Sequence, residues 1–182
     1  HMLHLSTQDV VSSIEKTPLV NLNGIFYQEY LDFFDKSFEI DLSKVSKFVK
    51  LEKLEHTPRG VVSKKSQISK LLTVFFMHSK ITKALENKFM IPLKFDSVDL
   101  WIDDIGFSLE PHVDDERIRL HLQIYLSDNS VGTSLYDQSK HKIRTFNFKQ
   151  NTGYALLNNA HSIHGVEKVT QSGRTSIYAR YS

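Results

Sequence analysis

Two histidines, one aspartate and one arginine in the second half of the chain are the residues whose types and spacing could do chemistry. His112-Val113-Asp114 is followed by His164 and then by Gly173-Arg174-Thr175-Ser176. Two imidazoles and one carboxylate are a set that non-haem Fe(II) uses, because three ligands on one face of an octahedron leave the other positions open for substrate and oxygen. The pattern therefore predicts an oxygen-activating iron site.

The spacing of His112 and Asp114 puts both side chains on the same side of an extended segment, because successive residues of a strand alternate between its faces. Asp115 then points away, and we expect it to be a solvated loop acid. The pattern His-x-Asp carries little weight by itself in a chain with nine histidines. The prediction therefore depends on the residues that follow.

The third ligand has three histidine candidates. His164 opens the strand-like stretch 164–169 and is the preferred one. His161 follows Asn158-Asn159-Ala160, which is typical of a turn, so we expect a loop histidine or a donor behind the ligands. His121 falls on the predicted strand after the His-x-Asp pattern and is expected to line the pocket.

The arginine is predicted to bind an anion. If Arg174 begins the last strand, then Arg174, Ser176, Tyr178 and Arg180 share one face of it. A buried guanidinium needs an anionic partner, and its planar fork suits a carboxylate. A diacid bound at the metal would provide that partner, and the alternative is a structural ion pair with one of the 21 acidic residues.

Short antiparallel strands are predicted to position these residues. After Ile91-Pro92 the chain consists of short runs rich in Val, Ile, Tyr, Phe and Thr, separated by Gly, Asn, Asp and Ser, which is typical of a sandwich or jelly roll. Near the end of the first predicted strand, Trp101, Asp103 and Asp104 are expected to line the cavity entrance, and a place in the core is an equally favoured alternative for Trp101. The predicted strands cover residues 97–102, 117–126, 132–136, 144–148, 152–157 and 174–181.

The first half of the chain is predicted to be helical. Ser6-Thr7 can cap a short helix that runs through Glu15. Aromatic residues at helical spacing predict a second helix, and residues 66–89 predict one long amphipathic helix against the sheet. Residues 45–55 fit no single period and stay unassigned, while residues 59–65 are interpreted as a mobile loop. The aromatic residues of the second helix are Phe26, Tyr30, Phe33 and Phe34.

Composition predicts a single domain over residues 3–182, with a helical buttress at 3–92 and a jelly-roll core at about 93–182. His1-Met2 is interpreted as a cloning remnant. The absence of cysteine excludes a disulfide framework and a thiolate metal site, and it suits a reducing cytoplasm. No apolar run is long enough to predict a membrane span. The net charge of +2 and the lysines that Glu52 and Glu55 interrupt do not indicate a nucleic-acid partner.

Over about residues 95–181 the chain resembles the Fe(II)- and 2-oxoglutarate-dependent oxygenases. His112-x-Asp114, His164 and Arg174-x-Ser176 are similar to the family's iron triad and 2-oxoglutarate anchor in type, order and spacing. Ile124-Tyr125-Leu126-Ser127 resembles a strand end of the prolyl-hydroxylase-like members. The glycine-led segment 132–136 is similar to the strand that follows it, although Thr133 replaces the usual second glycine and no binding role is transferred to that segment.

The resemblance implies an α+β protein with a mainly β core: a double-stranded β-helix, cupin-like, with N-terminal helices packed on one side. It implies iron held by His112, Asp114 and His164. 2-Oxoglutarate would chelate the iron, and Arg174, Ser176 and Tyr125 would hold its far carboxylate. With O2, and with ascorbate as supporting reductant, it would be converted to succinate and CO2 while the substrate is hydroxylated.

The substrate stays open between a peptidyl proline or similar protein side chain and a free amino acid or other metabolite. A nucleic-acid demethylase is less favoured, although Arg174 and Arg180 form the arginine pair seen in that branch. Two other classes compete: a cupin-like protein that uses the metal without oxygen, and a non-catalytic interaction domain. The sequence does not predict the oligomeric state.

Overall fold

The computed structural model describes residues 3–30, 38–40, 51–53 and 57–182. Within these ranges the chain forms three helices and fourteen strands, and none of the helices is long and apolar enough to cross a membrane. In chain order the elements are β1 (Leu3–Leu5), α1 (Thr7–Lys16), β2 (Val20–Leu22), β3 (Ile25–Tyr30), β4 (Phe38–Ile40), β5 (Leu51–Lys53), β6 (Arg59–Val62), α2 (Gln67–Phe76), α3 (Ser79–Phe89), β7 (Phe95–Asp103), β8 (Leu109–His112), β9 (Leu120–Tyr125), β10 (Thr133–Tyr136), β11 (Lys142–Phe146), β12 (Thr152–Leu157), β13 (His164–Val166) and β14 (Arg174–Tyr181).

The strands form two main antiparallel sheets that enclose the site. The large sheet has the order β2-β3-β12-β9-β14-β7-β6-β5, the small sheet has the order β11-β10-β13-β8, and β1 pairs with β4 separately. From β7 to β10 and again from β12 to β14, successive strands alternate between the large and the small sheet. This crossover pattern is the predicted double-stranded β-helix, and it turns the inner faces of both sheets toward each other.

Strand alternation separates a hydrophobic face of the large sheet from a polar one. Leu122 on β9 and Ile177 on β14 are fully buried in one core cluster that also contains Phe76 of α2 and Leu85 of α3. Their neighbours along each strand, such as Gln123 and Tyr178, point to the opposite face of the sheet. The helices therefore cover the apolar face and leave the polar face to line the interior of the β-helix.

Two of the helix predictions have different outcomes. The short N-terminal helix is confirmed as α1, and the Ser6 hydroxyl accepts a hydrogen bond from the Asp9 amide at its start. The single long helix at 66–89 is wrong, because α2 ends at Phe76 and α3 starts after His78, whose Nδ1 accepts from the Lys80 amide at 3.2 Å. Both helices keep the amphipathic pattern, so the periodicity was informative although the break between them was not predicted.

The prediction of a helical first half holds only for α1, α2 and α3, and the mobile loop predicted at 59–65 is wrong over Arg59–Val62. Strands β2, β3, β5 and β6 all belong to the large sheet. Phe26 and Tyr30 lie on β3, which is paired on both sides and largely buried, so it lacks the alternation that marks a half-exposed strand. Phe33 and Phe34 lie outside the described residues, as does most of the unassigned stretch 45–55. Arg59–Val62 is strand β6, so the interpreted loop begins in the sheet.

The strands of the second half agree closely with the sequence prediction. Those at 152–157 and 174–181 have the observed bounds. Strand β9 begins at Leu120 rather than at Arg117, and β11 covers Lys142–Phe146 rather than residues 144–148. They carry Tyr125, Arg174 and Ser176, whereas His112 lies on β8, which was not among the predicted strands.

Candidate functional site

The two histidines of the predicted triad lie side by side on neighbouring strands of the small sheet. His112 ends β8, His164 begins β13, and the two residues are direct partners in the antiparallel pairing. Their ring centroids are 4.6 Å apart. Two residues far apart in sequence are thus brought together by the register of one strand pair.

Backbone carbonyls orient both rings. The Nδ1 atom of His112 lies 2.8 Å from the Glu110 carbonyl oxygen, and the Nδ1 atom of His164 lies 2.9 Å from the Ser162 carbonyl oxygen. Because a carbonyl oxygen only accepts, each Nδ1 must carry the hydrogen in the neutral imidazole. Both Nε2 lone pairs are therefore left free, which is the arrangement expected of metal-binding histidines.

Asp114 presents one oxygen to these nitrogens and uses the other for hydrogen bonds. Its Oδ1 lies 3.8 Å from His112 Nε2 and 3.6 Å from His164 Nε2. Its Oδ2 accepts from His121 Nδ1 at 2.8 Å and from the Tyr178 hydroxyl at 3.1 Å. The three groups offer ligand atoms within 4.8 Å of one another, so they can bind a single ion with Asp114 acting through Oδ1.

The electrostatics of the site favour an ionised Asp114. Burial acts to raise the pKa of the Asp114 carboxyl, but the charges and hydrogen bonds of His121 and His164 outweigh it and hold this pKa well below its usual range. Burial lowers the pKa of the His121 imidazole, with Asp114 opposing the shift only in part. Burial also raises the pKa of the Tyr178 hydroxyl, which stays protonated and donates to Asp114.

Asp115 and His161, the alternatives to Asp114 and His164 as metal ligands, lie outside the group of candidate ligands. Asp115 is exposed and pairs with Arg117, whose side-chain hydrogen bonds lower the pKa of that carboxyl to about 2. His161 is exposed, and its Nδ1 lies 3.2 Å from Gln138 Nε2. The structure thus brings together His112, Asp114 and His164 and leaves the two alternatives at the surface.

Arg174 is fully buried at the start of β14 and contacts both main-chain and side-chain acceptors. Its Nη1 donates to Asp103 Oδ2 at 2.6 Å and its Nε to the Val131 carbonyl at 2.9 Å. Its Nη2 makes only long contacts, 3.5 Å to the Gly132 carbonyl and 3.4 Å to Thr133 Oγ1. The guanidinium is thus fixed in place while Nη2 keeps donor capacity for a ligand.

Arg174 and the triad line one cavity of about 240 Å³ between the two sheets. Trp101 lines it as predicted, whereas Asp103 is fully buried behind Arg174 and Asp104 is exposed. The cavity residues are Arg59, Trp101, Leu109, His112, Asp114, Asp115, Ile118, Gln123, Thr133, Tyr154, His164, Val166, Arg174, Tyr178 and Arg180.

Tyr125 and Ser176 lie one layer behind the cavity wall. The Tyr125 hydroxyl donates to Thr133 Oγ1 at 3.0 Å, and burial raises the pKa of Tyr125 to about 12. Ser176 Oγ accepts from Gln123 Nε2 at 3.0 Å. Neither residue lines the cavity, so the groups that reach it are Thr133 and Gln123.

Sequence reasoning assigned no role to Thr133, Gln123 or Tyr154. The Tyr154 hydroxyl lies 2.8 Å from Gln123 Oε1 and 3.0 Å from His121 Nε2, which connects the wall of the cavity to the hydrogen bonds of Asp114. The available signal was the alternation of His121, Gln123 and Tyr125 along β9, which places all three on the interior face. Thr133 had no such signal, because only the packing of β10 brings it to Arg174.

Solved structures show the same fold. An oxidoreductase of the 2OG-Fe(II) oxygenase family from Burkholderia pseudomallei superposes with a TM-score of 0.64 at 14% identity, over 97% of this chain and 90% of that one. The non-haem α-ketoglutarate-dependent epimerase SnoN from nogalamycin biosynthesis gives 0.65 at 11% identity, over 97% and 82%. A Pseudomonas putida prolyl-4-hydroxylase gives 0.56 at 11% identity, over 97% and 98%.

The sequence matches no protein-family model and no curated protein. The structural likeness at these low identities establishes the double-stranded β-helix. Any activity for this chain has to be argued from the geometry of its own site.

Proposed function

We propose that the protein is an Fe(II)- and 2-oxoglutarate-dependent dioxygenase that hydroxylates a C–H bond and releases succinate and CO2. The observation that carries the proposal is that His112, Asp114 and His164 converge at a cavity that Arg174 also lines. The donor set of two imidazoles and one carboxylate fits Fe(II) with open positions. A buried arginine in the same cavity fits the far carboxylate of a diacid.

The residues that line the cavity would bind the iron and the cosubstrate, and their neighbours would orient them. Iron bound by the triad would activate oxygen, and it would be the ion that 2-oxoglutarate chelates. His121 and Tyr178 hold Asp114 Oδ2, so that Oδ1 stays directed at the two Nε2 atoms. Arg174 would bind the distal carboxylate of 2-oxoglutarate, with the Thr133 hydroxyl beside it.

Apolar side chains would protect the reacting centre from water. Leu109, Ile118 and Val166 line the same cavity as the triad. Exclusion of water strengthens the electrostatic contacts of the bound groups and suppresses side reactions. Tyr125 and Ser176 would act on the cosubstrate through Thr133 and Gln123.

The proposal is tested by binding and by uncoupled turnover. Anaerobic titration of the Fe(II)-loaded protein with 2-oxoglutarate should give a saturable absorption change, and aerobic incubation with ascorbate should release succinate. His112→Ala should abolish both signals and Arg174→Gln should weaken 2-oxoglutarate binding at least tenfold, while His161→Ala serves as the matched surface control. Failure of the wild-type protein to bind iron and 2-oxoglutarate would exclude the function and favour a cupin-like or non-catalytic protein.

A peptidyl proline or a similar protein side chain is the first substrate to test. It is supported by the sequence around Tyr125 and by the fold shared with a prolyl-4-hydroxylase. A small metabolite is the second candidate, because a structure of the epimerase SnoN holds Fe3+, α-ketoglutarate and nogalamycin RO in the same fold. Incubation with proline-containing peptides and with a panel of free amino acids, followed by mass spectrometry for one added oxygen, separates the two.

A further inference from the structure

A buried carboxylate lies between two guanidinium groups at one end of the cavity. Asp103 on β7 accepts from Arg59 on β6, with Nε at 2.5 Å and Nη2 at 3.1 Å, and from Arg174 Nη1 on β14 at 2.6 Å. Asp103 is the direct register partner of both arginines, so three neighbouring strands supply the three groups in one row. The side chains of Arg174 and Asp103 have no solvent exposure and that of Arg59 has 10%.

This row carries one positive charge in excess. Two guanidinium groups face one carboxylate, and in the part of the chain that the structure describes neither arginine forms an ion pair with a second acid. The other acceptors of Arg174 are neutral, namely two carbonyls and the Thr133 hydroxyl. An uncompensated buried charge is costly, so the row is suited to an anion that enters from the cavity.

Arg59 is held rigidly against Asp103. Its guanidinium carbon lies 3.9 Å from the centre of the Trp101 ring and 4.1 Å from that of Phe107. Trp101 in turn stacks on Tyr178 with ring centres 4.5 Å apart. These contacts fix the guanidinium beside Asp103 before any ligand binds, and they connect it to the residue that donates to Asp114.

We propose that Arg59 is a charge-balancing residue of the cosubstrate pocket. By neutralising Asp103 it leaves the charge of Arg174 available for the distal carboxylate of 2-oxoglutarate. Without Arg59, Asp103 and Arg174 form a neutral pair, and Asp103 repels an incoming carboxylate. This inference rests on the proposed function and adds to it a residue from β6, outside the triad and the last strand.

The charge arithmetic predicts an effect that a merely structural ion pair would not produce. Arg59→Gln should weaken 2-oxoglutarate binding by about tenfold to a hundredfold, because Asp103 then neutralises Arg174 and weakens its charged hydrogen bond to the ligand. Adding Asp103→Asn should restore binding to within about threefold of wild type, because Arg174 regains its excess charge. Asp103→Asn alone should bind at least as tightly as wild type.

The experiment measures dissociation constants by calorimetry on protein loaded with Zn(II) in place of iron. The fluorescence of Trp101, the single tryptophan of the chain, gives a second readout beside Arg59. 2-Oxopentanoate is the control ligand, because it keeps the metal-chelating end of 2-oxoglutarate and lacks the distal carboxylate. Its affinity should change less than threefold in every Arg59 and Asp103 variant.

Two outcomes overturn the inference while leaving the proposed function intact. One is wild-type affinity for 2-oxoglutarate in Arg59→Gln, and the other is a double variant that binds as weakly as the single one. If Arg59→Gln does not fold, the comparison is between Asp103→Asn, which should bind 2-oxoglutarate at least as tightly as wild type, and Arg59→Gln/Asp103→Asn, which should bind within about threefold of wild type. Weaker binding than wild type in Asp103→Asn, or a loss of about tenfold or more in the double variant, refutes the inference, whereas a wild-type protein that binds no 2-oxoglutarate refutes the proposed function itself.

Discussion

Replacing Gly165 by alanine places one methyl group between the two strands that carry His112 and His164. A Cβ at this position would lie 2.6 Å from the Leu109 carbonyl oxygen and 3.2 Å from Pro111 N, whereas ordinary contact begins at 3.4 Å. The backbones of β8 and β13 must therefore shift locally by at least 0.4 Å, which brings the contact from 2.6 to 3.0 Å, and by 0.8 Å for an ordinary contact at 3.4 Å. Metal sites tolerate ligand displacements of only about 0.2 Å, so we expect affinity for a divalent ion to fall at least about tenfold.

The loss of global stability should be modest by comparison. Overpacking of this kind costs about 1–3 kcal/mol, and for a chain of this size that lowers the melting temperature by about 2–12 °C. Gly106→Ala is the matched control: its φ of +92° imposes strain, but the nearest atom to the new Cβ is Pro58 Cγ at 3.7 Å. That strain costs about 1–2 kcal/mol without separating β8 from β13.

The assay combines calorimetric titration of Mn(II) into the metal-free protein with thermal melting followed by circular dichroism. Gly165→Ala should lower both the affinity for Mn(II) and the melting temperature, whereas Gly106→Ala should lower the melting temperature alone. If Gly165→Ala binds Mn(II) as tightly as wild type while melting lower, then the register of β8 and β13 does not set the metal geometry and the reasoning is refuted.

Three further predictions concern the same cluster. Tyr178→Phe removes one of the two donors to Asp114 Oδ2, a bond to a charged group worth about 1.5–3 kcal/mol, and should weaken Mn(II) binding with little change in fold by circular dichroism. In the metal-free protein the pKa of His121 is lowered by burial and that of Asp114 is held below its usual range, so both bind fewer protons folded than unfolded. The free energy of unfolding should therefore fall with decreasing pH, first below about 6.5 as His121 of the unfolded chain takes up a proton, and then below about 3.9 as Asp114 does. A melting temperature that rises on acidification from pH 7 to 5 would contradict this. His164→Ala should abolish Mn(II) binding while His161→Ala leaves the dissociation constant within twofold, and equal effects would show that the wrong histidine was assigned.

The fold of the second half was predictable because its signals are local. In strand 174–181 residues of the cavity face, such as Arg174, alternate with residues of the core face, such as Ile177, whereas strand 152–157 is recognisable as a short run that follows the turn residues Gln150-Asn151. Strand β3 was predicted as a helix because its aromatic residues Phe26 and Tyr30 lie four positions apart, a spacing that also fits a helix. The break between α2 and α3 was also invisible to periodicity, because His78 caps the second helix without interrupting the apolar pattern.

The sequence by itself determined the chemical types of the site: two imidazoles, a carboxylate and a distant guanidinium, in an order that fits one metal and one diacid. Only the tertiary structure decided which atoms face the cavity. The pairing of β8 with β13 selects His164, the register of β6, β7 and β14 puts Asp103 between Arg59 and Arg174, and β10 brings Thr133 in front of Tyr125. These contacts join residues that are far apart along the chain, so no local pattern encodes them, and they follow from how the strands pair and cross between the two sheets.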